Sequence, residues 1–362
     1  MSTEPSRSHS AAKADPGLRR FLIRTAIGGI PLGCILLAVL YYCLIIRPDL
    51  VGDLGELGKI PFDREYARQM YRPVLSGQRK VDYARGEAMS PVVTIGDSFS
   101  QQNPNGFQNF LGDMLGHDIT NIPFDFHKTS PEQGAADLLA TGFFDNHPEV
   151  EWVIVETIER DLVDRWLAVE FDRARSNPPV KYRREEDAPA EGKVQESLGR
   201  YFRQGVDWIK LSTGIADSPV CSVELSEECF TLAGKESRLY FYDQDLTRIS
   251  ASDDELAAVA GKISALRDRF ADKGIKMIFM PAPDKYELYQ HLTVDNPYPA
   301  RPLGASLSAA LDTLDFVVNP LPELRRMLDN GDKDIYMADD THWSAKGASA
   351  AAAMLHRHMT GM

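Results

Sequence analysis

Residues 91–115 read PVVTIGDSFSQQNPNGFQNFLGDML, and the reading of this stretch decides the fold. Val92, Val93, Thr94 and Ile95 form a short β-branched run, the composition of a buried strand, and Gly96 ends it. A polar turn follows, and then Phe107–Leu115 places apolar residues at helical spacing. The order strand, tight turn, helix puts Ser98 at the junction. A serine there projects its hydroxyl above the carboxyl edge of a sheet, where the turn's N–H groups and the helix dipole face a developing oxyanion. Gly-Asp-Ser is also ordinary turn chemistry, so the tripeptide takes its meaning from context.

Outward from this stretch the pattern alternates. An extended segment is predicted near Ile119–Phe124, a helix from Pro131 to Thr141 with Pro suited to its start, and a buried strand at Trp152-Val153-Ile154-Val155. Later, Ser252-Asp253-Asp254-Glu255 is a capping box, Leu256, Val259, Ile263, Leu266 and Phe270 follow at three- and four-residue steps, and Gly274 stops the helix. Ile275–Met280 is the next strand, Leu314–Val318 a candidate strand, and Ala345–His358 an Ala-rich closing helix. Such alternation predicts an α/β fold with a mostly parallel sheet and crossover helices. Between the halves 91–160 and 251–362, residues 161–250 break the pattern with Asn177-Pro178-Pro179 and the charged Lys181–Lys193 stretch, and are read as an insertion carrying partner or substrate contacts.

From Thr25 to Ile46 no charged residue occurs, and at about 1.5 Å per residue this run spans a hydrocarbon core of about 30 Å. Residues 21–47 are therefore expected to be a transmembrane anchor. Residues 1–20 form a polar cytoplasmic tail before it, and 48–90 a juxtamembrane connector after it. Arg19, Arg20 and Arg24 precede the run and Asp49, Asp53 and Glu56 follow it, so the positive-inside bias keeps the N-terminus cytoplasmic and the rest outside. A cleaved signal peptide fits less well, because the leader is long and no A-x-A-like site ends the run. The net charge of −13 excludes a nucleic-acid partner, which demands a cationic surface. Cys221 and Cys229 lie in the exported part, where an oxidising compartment favours a disulfide over two thiols.

Near the C-terminus stands Ala338-Asp339-Asp340-Thr341-His342-Trp343. A serine hydroxyl is a weak nucleophile until a base accepts its proton, and the base needs a carboxylate to fix its tautomer. Ser98 as nucleophile and His342 as base satisfy that need. A helix start capped by Asp or Thr beside an incidental His is the plain alternative. His127 and His147 lack metal-ligand spacing, and no Gly-rich nucleotide loop is present, so neither a metal nor a cofactor is implied.

Gly96-Asp97-Ser98-Phe99 and Asp340-Thr341-His342-Trp343 together resemble the SGNH hydrolase superfamily, and within it the alginate O-acetyltransferase type of polysaccharide-acetylating protein. Val155-Glu156-Thr157-Ile158-Glu159-Arg160 and the run from Pro281 to Tyr289 are weaker strings of the same likeness. The resemblance implies a three-layer α/β/α sandwich and an acyl-Ser98 intermediate. In the alginate proteins the D-x-H-W block is expected before the serine block, whereas here serine comes first, as in ordinary SGNH enzymes. The strand ending at Glu156 also lacks the G-x-N-D block that supplies an oxyanion-hole Asn. Asp340 fits D-x-H-W, and Asp339 fits the alternative D-x-x-H spacing. The Ser98 N–H and Gly134 are the candidate oxyanion donors and Arg160 a candidate oxyanion or sugar contact, although Glu156 and Arg160 equally fit a structural ion pair. Lys285, Tyr286, Tyr289 and Trp343 are candidates to line the substrate site, and a plain strand-to-loop exit explains the first three as well.

The function so implied is acetyl transfer to an exported polysaccharide at a bacterial inner membrane, with the catalytic domain in the periplasm. Because acetyl-CoA is cytoplasmic, a membrane-bound O-acyltransferase is the implied donor partner. A glycan esterase and an inert carbohydrate-binding assembly subunit are the alternatives.

Overall fold

Strands buried on both faces need apolar residues at nearly every position, and the runs around Val93, Val153 and Ile278 supply them. In the computed structural model these runs become the centre of a five-stranded parallel sheet. It contains β1 (Lys80–Asp82), β2 (Val92–Ile95), β3 (Ile119–Asn121), β4 (Trp152–Ile158) and β7 (Lys276–Ala282), in the order β1-β3-β2-β4-β7. The structure describes residues 52–56, 60, 63–84, 87–124, 129–171, 180 and 218–361, with scattered helical positions between 17 and 37. The expected anchor at 21–47 lies largely outside the described residues, as do the tail and most of 172–217. Among the described residues no helix is long and apolar enough to cross a membrane.

The two-residue period of the strands divides the core. Val92, Ile154, Ile278 and Met280 point to one face, where they pack with α3 (Phe107–Leu115) and the closing helix α10 (Ala345–Thr360). Val93, Ile95, Val153, Val155 and Phe279 point to the other, against α4 (Pro131–Ala140), α5 (Glu159–Leu167), α6 (Asp253–Ala271) and α8 (Leu303–Leu311). This is the expected α/β fold with helices on both sides of a parallel sheet. The capping box forms as read: the Ser252 hydroxyl accepts from Glu255 N–H, and Glu255 returns the bond to Ser252. Gly274, at φ 77°, turns the chain out of the helix.

Several elements differ from expectation. Leu314–Val318 is not a strand, because Val317 makes a single parallel bridge to Phe279 while its own N–H folds back to Leu314. The connector contributes β1, an edge of the main sheet, and two short helices, α1 (Asp53–Glu56) and α2 (Arg64–Met70). The helix α5 runs across the boundary drawn at 160/161. Within the described part of the region read as an insertion, β5 (Val220–Leu225) and β6 (Arg238–Tyr242) pair antiparallel and are joined by β8 (Thr293–Val294) from beyond it. Cys221 and Cys229 are thiols rather than a disulfide. Cys221 stands on β5, its thiol against the Tyr298 hydroxyl, whereas Cys229 is buried past the end of that strand, its backbone tied to Glu236 and Asp334.

Candidate active site

β2 delivers the chain to a sharp turn in which almost every polar group is fixed. A Cβ on Gly96 would collide with the side chains of Ser100 and Glu156, so only glycine lets the turn close this tightly. Glu156, at the carboxyl end of neighbouring β4, accepts from Asp97 N–H at 3.0 Å and from the Ser100 hydroxyl at 2.9 Å. The Asp97 carboxylate accepts in turn from Phe99 N–H, Ile158 N–H and Arg165. Burial, and then the Asp97 charge beside it, push the Glu156 carboxyl well above the usual carboxylate range. The N–H groups of Asp97, Phe99 and Ser100 are already donated, which leaves that of Ser98 as the turn's unengaged donor.

The second block folds as a loop against this turn. His342 Nδ1 lies 2.6 Å from Asp340 Oδ1, which places the proton on Nδ1 and the lone pair on Nε2. Nε2 is buried and has no hydrogen-bond partner. Burial alone would lower the imidazole pKa, but the Asp340 carboxylate, with Asp53 and Asp97 behind it, outweighs burial and raises it. Asp340 is opposed in the same way: burial works against its charge, and His342 more than compensates, holding the carboxyl below its usual range. Asp339 faces elsewhere, accepting from Gly52 N–H at 3.2 Å, and its carboxyl is pushed up to about 6 by burial and by Asp340. The geometry therefore favours Asp340 over Asp339 as the acid.

Two contacts join the blocks. The Phe99 ring, next to Ser98 in sequence, packs 4.9 Å from the imidazole and 4.8 Å from the Trp343 indole. Gln102 Nε2 donates to the Trp343 carbonyl at 3.2 Å. Ser98 and His342 are thus brought to one end of the sheet, and a cavity of about 130 Å³ opens beside His342.

Other candidates go to other work. Gly134 N–H donates to Ser130 within α4, and a Cβ there would strike Phe124, so the residue is small for packing and supplies no oxyanion donor. Arg160 pairs with Asp284 at 2.8 Å and Asp245 at 3.3 Å, rather than with Glu156. Tyr286 stacks on Phe241 and the Tyr289 hydroxyl accepts from Tyr336 N–H, both residues wholly buried and away from any open surface. Lys285, also buried, donates to the carbonyls of Met337, Ala338 and Asp340, bracing the His342 loop; burial lowers its pKa to about 8. Trp343 is buried but borders the cavity.

The connector supplies residues that the motifs did not announce. Asp53 N–H and the Tyr71 hydroxyl donate to Asp340 Oδ2 at 3.3 and 3.2 Å, and Asp53 in turn accepts from Thr341 N–H at 2.7 Å. Tyr66 accepts from Ala338 N–H and donates to Asp334. A Cβ on Gly52 would collide with the Asp339 carbonyl. Acidic residues after an apolar run gave only a topology signal, and a lone tyrosine gives none. Asp53, Asp340 and His342 hold their ligating atoms within 4.8 Å of one another, but these atoms are already engaged with each other and with Thr341.

Residues 232–361 match the family model described as SGNH hydrolase-like domain, acetyltransferase AlgX. The SGNH hydrolase-like domain so matched contains Asp340, His342 and Trp343, while the Ser98 turn lies before it. Such a domain is that of an esterase or acyltransferase kind of enzyme. No curated protein and no solved structure matches the chain at a significant level.

Proposed function

We propose that this chain is a membrane-anchored, periplasmic O-acetyltransferase that acts on an exported polysaccharide through an acetyl-Ser98 intermediate. The observation that carries the reading is the imidazole fixed by Asp340 at 2.6 Å, with its buried, partnerless Nε2 beside the Ser98 turn. Nε2 takes the Ser98 proton as Oγ attacks the acetyl carbonyl, the Ser98 N–H stabilises the oxyanion, and the imidazolium returns the proton to the leaving group. A sugar hydroxyl then attacks the acetyl-serine and passes its proton to Nε2, and the imidazolium protonates Ser98 Oγ as the ester bond to it breaks. The apolar run at 25–46 supports the anchor, and the arginine bias supports the orientation. A membrane-bound O-acyltransferase is the proposed donor partner, since the acetyl group must cross the membrane.

A fluorophosphonate probe should label the full-length chain at Ser98, and His342→Ala should suppress the labelling. Correctly folded protein that stays unlabelled would remove the enzymatic reading. Cells lacking the protein should export an under-acetylated polymer; a hyperacetylated polymer would establish an esterase instead.

A further inference from the structure

Lys285 stands against two local rules. It opens the short helix α7 (Lys285–Tyr289), where the helix dipole disfavours a positive charge, and it is buried, where a charge is costly. Its partners explain the placement. Nζ donates to the carbonyls of Met337 at 2.7 Å, Ala338 at 3.0 Å and Asp340 at 3.0 Å, and the centroid of the Phe230 ring lies 5.4 Å away. Three carbonyls from one short loop thus converge on a single nitrogen.

The count of protons matters. An ammonium carries three N–H donors and no acceptor, whereas a neutral amine carries two and a lone pair, which would face one of these carbonyls. Within the loop the backbone-to-backbone bonds are long: Met337 N–H reaches the His342 carbonyl at 3.2 Å, and Asp340 N–H the Met337 carbonyl at 3.4 Å. The ammonium is therefore what draws the carbonyls to one point. Asp340 carries this to the base, because Lys285 holds its carbonyl while its carboxylate fixes His342 Nδ1 at 2.6 Å.

We propose that Lys285 is a positioning residue for His342 and acts through its charge: the ammonium sets residues 337–340 so that the Asp340 carboxylate meets the imidazole, and the neutral amine releases them. The inference rests on the acyl-transfer reading for the part that His342 plays as base. The carboxylates that face the ammonium are Asp339 and Asp340 of the loop, Asp53 of α1, and Asp245 in the turn after β6. Beside it in sequence, Asp284 and Glu287 are turned to Arg301 and Arg325. The facing carboxylates favour the charge, but burial outweighs them and brings the pKa down to about 8, so the proton leaves at mildly alkaline pH.

The first measurement needs no variant. Fluorophosphonate labelling of Ser98 in the full-length chain, in detergent, should quicken with pH as His342 loses its proton. It should then slow about tenfold between about pH 8 and pH 10, in line with one lost hydrogen bond from a charged group, while circular dichroism stays constant. Lys285→Met should label at about one-tenth of the wild-type rate near neutral pH and show no alkaline slowing. Lys285→Arg, whose guanidinium keeps its proton, should hold its rate across the alkaline interval. A wild-type rate that stays level to about pH 10, or an alkaline slowing that persists in Lys285→Met, would overturn the role. A second readout does not need the enzyme. The Nδ1 proton between His342 and Asp340 should give a far-downfield NMR resonance, lost reversibly over the same interval in the wild type and retained in Lys285→Arg. Protein that never labels Ser98 yet loses this resonance with the Lys285 proton would sink the acyl-transfer reading and keep the positioning role. Labelling with a rate and a resonance indifferent to Lys285 would do the reverse.

Discussion

Two clusters of charge lie beyond the carboxyl ends of the parallel strands, one around Arg301 and one around His342, and they are built on opposite terms. Arg301 is wholly buried, paired with Glu159 and Asp284 at 2.9 Å each, while Arg160 reaches the same Asp284 and Asp245. Every carboxylate there faces an arginine. Around His342 the acid side is saturated, with Asp340 accepting from the imidazole, two N–H groups and Tyr71, yet the imidazole's other nitrogen is left vacant beside an open cavity. Mutual ion pairing makes the first cluster a fixed strut; the unpartnered imidazole nitrogen in the second leaves a base free to act.

Breaking the two clusters should therefore have different consequences. Asp340→Asn removes the carboxylate that sets the tautomer and should cut the acylation rate of Ser98 by about 10⁴-fold, whereas Asp339→Asn should cost less than about tenfold. Equal losses, in a stopped-flow assay with an activated acetyl ester, would mean that the two acids share the role. Arg301→Met leaves Glu159 and Asp284 as buried charges without their common partner. It should destabilise the fold by about 3–5 kcal/mol in denaturant unfolding, with little change in the acylation rate of the folded fraction. A large rate loss at unchanged stability would place Arg301 in the chemistry and erase the contrast.

The same contrast explains what could be read from the sequence. The period of apolar residues gave the strands β2, β4 and β7 and the helix α6 almost to their ends, because burial on a sheet face or helix stripe is a local pattern. The Ser98 and His342 blocks were legible because their residue types sit at fixed spacings within a turn and a loop. The strings at 155–160 and 281–289 carried a weaker signal, and their charges divide: Glu159, Arg160, Asp284 and Glu287 close the Arg301 cluster, while Glu156 and Lys285 hold the Ser98 turn and the His342 loop. Nothing local distinguishes a carboxylate that meets arginine from one that meets substrate; the partner lies on another strand. Arg301 itself is more than a hundred residues from Glu159. The connector was illegible for a related reason: Asp53 and Tyr71 act through contacts that span 269 to 288 residues.

That connector offers a finer test of how the vacancy is held open. Tyr71→Phe deletes one donor to Asp340 and keeps the ring that walls the cavity. The rate of acylation should fall about tenfold, in line with one lost hydrogen bond to a charged group, and the fluorophosphonate labelling rate should fall with it. No change in either would reduce the connector to a spacer.

The smallest expected effect is a displacement in pH. His342 acts as a base only when neutral, so activity should fall as pH drops through its raised pKa. Asp53 Oδ2 lies 3.7 Å from His342 Nδ1 and is one of the carboxylates that raise it. Asp53→Asn keeps an oxygen that can accept from Thr341 N–H but removes the charge, so the imidazole's pKa falls and the acid limb of kcat/KM moves to lower pH. The wild-type Asp53 carboxyl is itself pushed up to about 6 by its partial burial and by Asp340. A carboxyl whose folded-state pKa is raised binds its proton more tightly folded than unfolded, so its effect on stability is favourable at low pH and lost as pH rises from about 4 to about 6. Asp53→Asn should therefore flatten stability across that window while shifting the activity limb downward. An acid limb that stays in place or moves upward would show that Asp53 exerts no field on the imidazole, and that the connector reaches the site through hydrogen bonds alone.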